Sequence, residues 1–457
     1  MSVKILSSEQ DEAVRWMAAR EAGPTPGGGI LADDVGKGKT FMAAGLIEKS
    51  QLWPTLVIVP KSTIWEWAGV LKRVTNTAAC VITSMSDDQL REVSRSKMVL
   101  ATISCMSART VPPVIADRIW GRVILDEAHV IRNQATQAHK AMRALRAHAK
   151  WAMTATPVQN KPSELLALAR FVGFETDDAE AVRRELMMRR VNDASGGRLD
   201  VETVQVELVV PGEKELYDAV HKTFEAAAKA GGGIQKLLTT KDDAEEPTNG
   251  KGNAFERLLR CRQAATHPGI YHRAMAFRSD KGYEQHAELA ADWSMKPSSK
   301  LEWLYRDLEK CKATGERSLV FCDWIDEMDM IDEFLTARGI STERFDGSLN
   351  VFERESILSS FKSHDGPLVL LLQIKCGACG LNLQMASRVY LMRPQWNPAI
   401  EYQAIGRVNR TGQKNPVVTV RRLVAVGTVD EAMDVRLRGK LRSITDIMLD
   451  DAVERCF

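Results

Sequence analysis

The feature that most limits the fold is an alternation. From about residue 28 to 205, short β-branched runs are separated by longer stretches with helical spacing, and the same alternation returns from about residue 296. Leu56-Val57-Ile58-Val59, Met98-Val99-Leu100-Ala101 and Arg122-Val123-Ile124-Leu125 read as buried strands, as do Ser318 to Cys322, Leu368 to Leu372 and Val389-Tyr390-Leu391. Buried strands interleaved with helices need a parallel sheet covered by those helices. The expected fold is therefore α/β, with two parallel-sheet lobes. A chain of 457 residues exceeds one ordinary core and fits that plan.

Between the two alternating regions, Leu216 to Lys236 and Ala254 to Ala265 carry helical patterns, while Thr239 to Asn253 has no apolar periodicity and reads as a loop. This gives a first lobe at 1–205, a helical insertion with a flexible linker at 206–295, and a second lobe at 296–457. Gly27-Gly28-Gly29 and Gly231-Gly232-Gly233 read as flexible loops.

Hydrophobic residues at 44% and charged residues at 27% suit a soluble globular protein. Net charge is only +2, so a nucleic-acid contact would have to come from a local basic groove. The first residues lack the apolar core of a secretory signal, and the longest apolar run, Pro367 to Leu372, falls far short of the roughly 20 residues a bilayer requires. No membrane partner is expected, and the location is intracellular, in nucleus or cytoplasm. Eight scattered cysteines suit reduced thiols, and the lone Cys376-Gly377-Ala378-Cys379 pair reads as structural because no regularly spaced partner ligands accompany it.

Three segments carry chemistry. Gly36-Lys37-Gly38-Lys39-Thr40 follows the apolar Ile30-Leu31-Ala32 and precedes the helical Phe41 to Ile47, the strand, loop and helix context of a phosphate loop. Small residues let backbone amides face phosphates at a helix N-terminus, Lys39 supplies charge to the β and γ phosphates, and Thr40 can ligate Mg2+. Asp33 stands where the strict consensus has its first glycine. The strand ending at Leu125 then delivers Asp126-Glu127-Ala128-His129: Asp126 can hold Mg2+ through its water shell, and Glu127 can orient and deprotonate an attacking water. An isolated acidic turn is common, but this one follows a phosphate loop. In the far lobe, Gln403 to Gln413 places Arg407 and Arg410 three apart, which on a helix puts both on one face and suits an arginine finger.

These residues resemble the helicase-like ATPases of superfamily two, and within them the Swi/Snf-related group, over nearly the whole chain. Gln10 with Trp16 is similar to the family's adenine-side segment. Val59-Pro60-Lys61-Ser62 with Trp65 and Trp67 resembles the next block, Thr102 the one after, and Asp126 to Asn133 the acidic block. Thr154-Ala155-Thr156-Pro157-Val158-Gln159-Asn160 is similar to the motif coupling the ATP and DNA sites. Arg189-Arg190 and Arg260 to Pro268 resemble segments that mark the group, and Asp346-Gly347-Ser348, Gly377 to Leu383 and Trp396-Asn397-Pro398 complete the second lobe. Ala155 and Cys379 replace glycines usual in the family.

The resemblance implies two RecA-like lobes with ATP and Mg2+ as cofactors, Gln10 and Gly36 to Thr40 at the nucleotide, Thr154 and Thr156 in coupling, and Gln403, Arg407 and Arg410 at the phosphates. It further implies double-stranded DNA gripped along its phosphates, with Lys61, Ser62 and Thr102 in lobe one and Gly380 and Asn382 in lobe two as contacts. Nucleosomes or other DNA-bound proteins are the implied cargo, with targeting left to the lobes, the inserted helices or an accessory protein. The implied activity is duplex translocation. A strand-separating helicase is the alternative within the class, and a catalytically silent nucleic-acid-binding scaffold the alternative outside it; intact Lys39, Asp126, Glu127, Gln403, Arg407 and Arg410 speak against the scaffold.

Overall fold

Among the described residues, thirteen strands build two sheets. The computed structural model describes residues 6–23, 27–84, 86–107, 111–191, 197–230, 253–276, 293, 296–363, 365–366, 368–374, 381–410, 412–448 and 457. The chain divides into two compact units, with residues through 195 in the first and 196–442 making up most of the second.

In the first unit the strands are β1 (Gly27–Leu31), β2 (Thr55–Val59), β3 (Cys80–Ile82), β4 (Met98–Thr102), β5 (Trp120–Leu125), β6 (Ala147–Met153) and β7 (Met187–Met188). They are ordered β3-β4-β2-β5-β6-β1-β7, and their pairings are parallel. Helices α1 (Ser8–Ala22), α2 (Lys39–Ser50) and α3 (Ile64–Thr75) contribute Val14, Met17, Leu46, Ile47, Trp67 and Leu71 to a core that includes Val57, Leu100 and Ile124 of the sheet. In α3 the buried residues Ile64, Trp67, Val70 and Leu71 recur at helical spacing, which seats one face of the helix.

Gly27-Gly28-Gly29 is not a loop. The three glycines form the start of β1 and are buried. Gly28 has φ +114, and a Cβ there would lie 1.9 Å from the Lys150 carbonyl oxygen; at Gly29 it would lie 2.8 Å from the Leu186 carbonyl oxygen. Close approach of neighbouring backbones demands residues without side chains, and it overrides the low strand propensity of glycine.

The second unit contains β8 (Arg198–Val206), β9 (Arg317–Cys322), β10 (Thr342–Phe345), β11 (Val369–Gln373), β12 (Ala386–Leu391) and β13 (Val417–Ala425), ordered β10-β11-β9-β12-β13-β8 and again parallel. The stretch up to 205 therefore does not all belong with the first sheet: β8 pairs with β13 from Arg198↔Val417 to Val206↔Ala425. The expected helices occur as Glu213–Ala230 and Asn253–Thr266, followed by Pro268–Ala276. Leu216, Tyr217, Phe224, Leu258 and Tyr271 of these helices pack with Val429 and Met433, so this cluster belongs to the second unit. The expected loop at 239–253, Gly231-Gly232-Gly233 and the Cys376–Cys379 pair fall wholly or almost wholly outside the described residues. No helix among the described residues is long and apolar enough to cross a membrane.

Candidate active site

Parallel strands send the segments that follow them to one sheet edge, and ligands of α/β sheets bind at that edge. In the first unit, β1, β2, β4, β5 and β6 deliver there the loop 32–38, Lys61 and Ser62, Thr102, Asp126 to His129, and Thr154 to Thr156. All the first-unit residues expected to carry chemistry thus leave the sheet on the same side, joined by Gln10 from the first turn of α1.

The phosphate loop is shaped by two glycines. Gly36 and Gly38 have φ of 87° and 80°, and Gly38 caps α2 without a side chain in the way. Lys39 Nζ donates to the carbonyl oxygens of Asp33 (2.7 Å) and Asp34 (3.1 Å). Burial lowers the Lys39 pKa, opposed by the surrounding charges of Glu127, Asp126, Asp33 and Asp34. Asp33 is fully buried, and Arg190 neutralises it, donating from its backbone N–H at 2.9 Å and from Nε at 3.1 and 3.2 Å to the two carboxylate oxygens. Arg189 ties the same loop to the coupling motif by donating to the carbonyls of Ala32 (2.8 Å) and Ala155 (3.1 Å). Gln10, expected at the adenine, here uses its amide within the protein: Nε2 donates to the Lys37 carbonyl at 3.1 Å and Oε1 accepts from Ser7 N at 3.0 Å.

At the tip of β5, Asp126 accepts the indole N–H of Trp67 at 2.8 Å and the backbone N–H of Glu127 at 3.0 Å. Burial and the adjacent Glu127 charge push the Asp126 carboxyl up to about 6. Glu127 has left-handed backbone, φ 49 and ψ 48, a conformation costly for a side-chain-bearing residue and concentrated at functional sites. His129 Nδ1 lies 3.3 Å from Glu127 Oε2 and 3.4 Å from Thr154 Oγ1. Thr154 Oγ1 in turn accepts Thr156 N at 3.1 Å, Gln159 donates to Thr156 Oγ1 at 3.2 Å, and Arg132 donates to Gln159 Oε1 at 3.1 Å. Glu127 and the two threonines expected to couple the sites, Thr154 and Thr156, therefore share one chain of polar contacts.

The hydroxyl of Thr40, on the first turn of α2, and the carboxylate of Asp126 are hard oxygen donors beside the loop, a set that suits Mg2+. Asp126 carries a charge that its surroundings leave under-compensated, which a cation would stabilise. No group of three His, Cys, Asp or Glu side chains that could hold a metal ion exists among the described residues. Lys61 and Ser62 are exposed. Thr102 is not: it is fully buried, and its hydroxyl caps the short helix Ile103–Met106 through Cys105 N at 3.4 Å.

In the second unit, Gln403 lies on the helix Pro398–Ile405, whose N-terminus is capped by Asn397 through Ala399 N at 3.0 Å. Glu401 anchors that helix: fully buried, it pairs with Arg422 at 2.5 Å and accepts from Gln395 N at 2.7 Å. Arg407 and Arg410 are not on a helix as expected; the helix ends at Ile405 with Gly406 as its cap, and the arginines lie in the turns beyond. Glycine's poor helix propensity accounts for the stop. Arg410 Nε donates to the Gly406 carbonyl at 3.1 Å, and Arg407 is 5% exposed. Arg262, from the segment that marks the group, shares Asp323 with Arg393 at 3.2 and 2.8 Å, which fixes that segment to the end of β9. His267 beside it is pushed down to about 4 by burial and stays neutral. Asn382 is exposed, whereas Gly380 lies outside the described residues.

Sequence reasoning missed the Trp67 contact to Asp126, the His129 bridge and the Arg190 clamp on Asp33. Partners 59 and 157 positions apart share no local pattern, so no spacing signals them.

A two-glycine loop before a helix and paired carboxylates at the same edge of a parallel sheet are the arrangement expected of a nucleoside-triphosphate site. Residues 9–228 match the SNF2-related domain and residues 299–412 the helicase conserved C-terminal domain. The chain is 29% identical to the probable global transactivator of Orgyia pseudotsugata multicapsid polyhedrosis virus, with 97% of this chain and 91% of that protein covered. It is 26% identical to DNA repair protein RAD5B of Arabidopsis thaliana, with 93% of this chain covered but only 46% of that longer protein. Among solved structures, the Sulfolobus solfataricus SWI2/SNF2 ATPase core in complex with dsDNA aligns with a TM-score of 0.40 at 22% identity, over 98% of this chain and 94% of that one. The chain belongs to the SNF2-related family of helicase-like ATPases.

Proposed function

We propose that the chain is a DNA-dependent ATPase that translocates on double-stranded DNA and so remodels or displaces bound protein. In this reading residues through 195 and residues 196–442 act as the two lobes, with the helices between Glu213 and Ala276 carried by the second. The observation that carries it is the polar chain from Glu127 through His129 to Thr154, Thr156 and Gln159. A hydrolase with no second ligand has no use for a relay from its base to a separate motif. A motor must make hydrolysis depend on its track.

Gly36 to Thr40 bind the triphosphate, with Lys39 moving from the Asp33 and Asp34 carbonyls to the phosphates. Mg2+, when bound by Thr40 and Asp126, supplies charge neutralisation at the phosphates. Glu127 orients the attacking water and takes its proton. Gln403, Arg407 and Arg410 complete the phosphate contacts, and nucleotide-driven closing and opening alternates the grip on DNA. Lys61, Ser62 and Asn382, all exposed, contact the DNA phosphates. Thr102 acts behind them as a helix cap. Cargo is protein on duplex DNA, nucleosomes included, and an accessory protein can supply targeting.

Duplex DNA should stimulate turnover more than single strands or RNA, with little sequence preference and weakening at higher salt. The chain should displace a triplex-forming strand yet leave a forked duplex paired. Efficient fork unwinding without triplex displacement would replace this reading with that of a strand-separating helicase.

A further inference from the structure

Lys37 is the one side chain between the two left-handed glycines of the phosphate loop, and it is not directed into open solvent. Its Nζ lies 3.1 Å from Glu9 Oε2, with the lysine side chain 7% exposed and the glutamate 53%. One residue along α1, Gln10 Nε2 donates to the Lys37 carbonyl at 3.1 Å. Gln10 is itself fixed by a reciprocal capping box with Ser7. Gly38 beneath it has φ +80, which favours glycine, and a Cβ there would come within 2.4 Å of Gln10 Nε2 and displace that amide. The Glu9 backbone is held too, because Arg190, already clamped on Asp33, donates to the Glu9 carbonyl. Side chain and backbone of the loop's central residue are thus tied to a single helical turn.

We propose that Glu9 and Lys37 form a clasp that holds the phosphate loop in its nucleotide-ready shape, making both of them positioning residues for ATP. Two glycines give the loop a large backbone entropy to lose on binding, and a clasp that removes this freedom beforehand improves affinity without touching the reacting atoms. The proposal rests on the loop being the triphosphate site, which ATP binding by the unaltered chain measures separately.

In the full chain, Glu9→Gln should raise the Kd and KM for ATP by roughly two- to fivefold, the range of a part-exposed ion pair, with kcat near the parent value. That difference should shrink as salt rises. Glu9→Lys and Lys37→Glu should each weaken ATP binding further, and the double exchange Glu9→Lys with Lys37→Glu should recover much of the loss. Parent-like affinity in Glu9→Gln, or an exchange no better than its poorer single variant, would overturn the clasp. So would a Glu9→Gln chain that melts earlier but binds ATP as the parent does, since that is a purely structural role. Failure of the unaltered chain to bind ATP would overturn the loop assignment and the clasp together.

Discussion

Trp67 donates its indole N–H to Asp126 Oδ2 across 2.8 Å, so an aromatic residue of α3 fixes the carboxylate at the tip of β5. Trp67→Phe keeps most of the packing and deletes the donor. A hydrogen bond to a charged group is worth about 1.5–3 kcal/mol, so kcat should fall about tenfold or more while the chain remains folded by circular dichroism. Unchanged turnover would mean that other contacts suffice to hold Asp126.

Lys39→Ala and Glu127→Gln should fail differently. The first removes the charge that meets the phosphates and should abolish ATP binding in a fluorescent-nucleotide assay. The second leaves binding intact and stalls hydrolysis, because a neutral amide cannot take the proton of the attacking water. Normal turnover in Glu127→Gln would transfer the base role elsewhere.

Arg407→Ala with Arg410→Ala should cut DNA-stimulated turnover by about a thousandfold, the scale of an arginine finger. ATP affinity should change far less than kcat, since the effect belongs to the transition state. Near-normal stimulated turnover in the double variant would remove both residues from the catalytic set.

Gly28→Ala tests the fold rather than the chemistry. The new methyl would stand 1.9 Å from a backbone oxygen, at φ +114, and should cost about 3 kcal/mol or more in denaturant unfolding. Gly69, within α3, has nothing within 4 Å of an added Cβ, so Gly69→Ala should be neutral or stabilise by up to about 1 kcal/mol. Equal effects at the two sites would contradict the close approach of β1 to β6.

Local pattern made much of this molecule legible. Leu56 to Val59 and Arg122 to Leu125 are strands because buried runs of that length have few alternatives, and Gly36 to Thr40 reads as a phosphate loop once Asp126-Glu127 follows it at the end of a strand. What stayed hidden depends on distant partners. The glycines of β1 look like a flexible loop until Lys150 and Leu186 crowd them. Thr102 looks like a surface contact until its hydroxyl is seen capping the next helix. Arg407 and Arg410 keep their spacing, but Gly406 takes them off the helix.

The pairing of β8 with β13 has a consequence for how the molecule is made. Strand β8 emerges from the ribosome early, yet its partner Val417–Ala425 is synthesised some two hundred residues later. Until then the early strand has an open ladder to shield, and closing so long a loop is slow. A fragment beginning at residue 296 would have the opposite defect: β13 would become a bare sheet edge, a ready template for association with other chains. Expression of the second lobe by itself should therefore start before Arg198, so that the edge strand is carried with the sheet it completes.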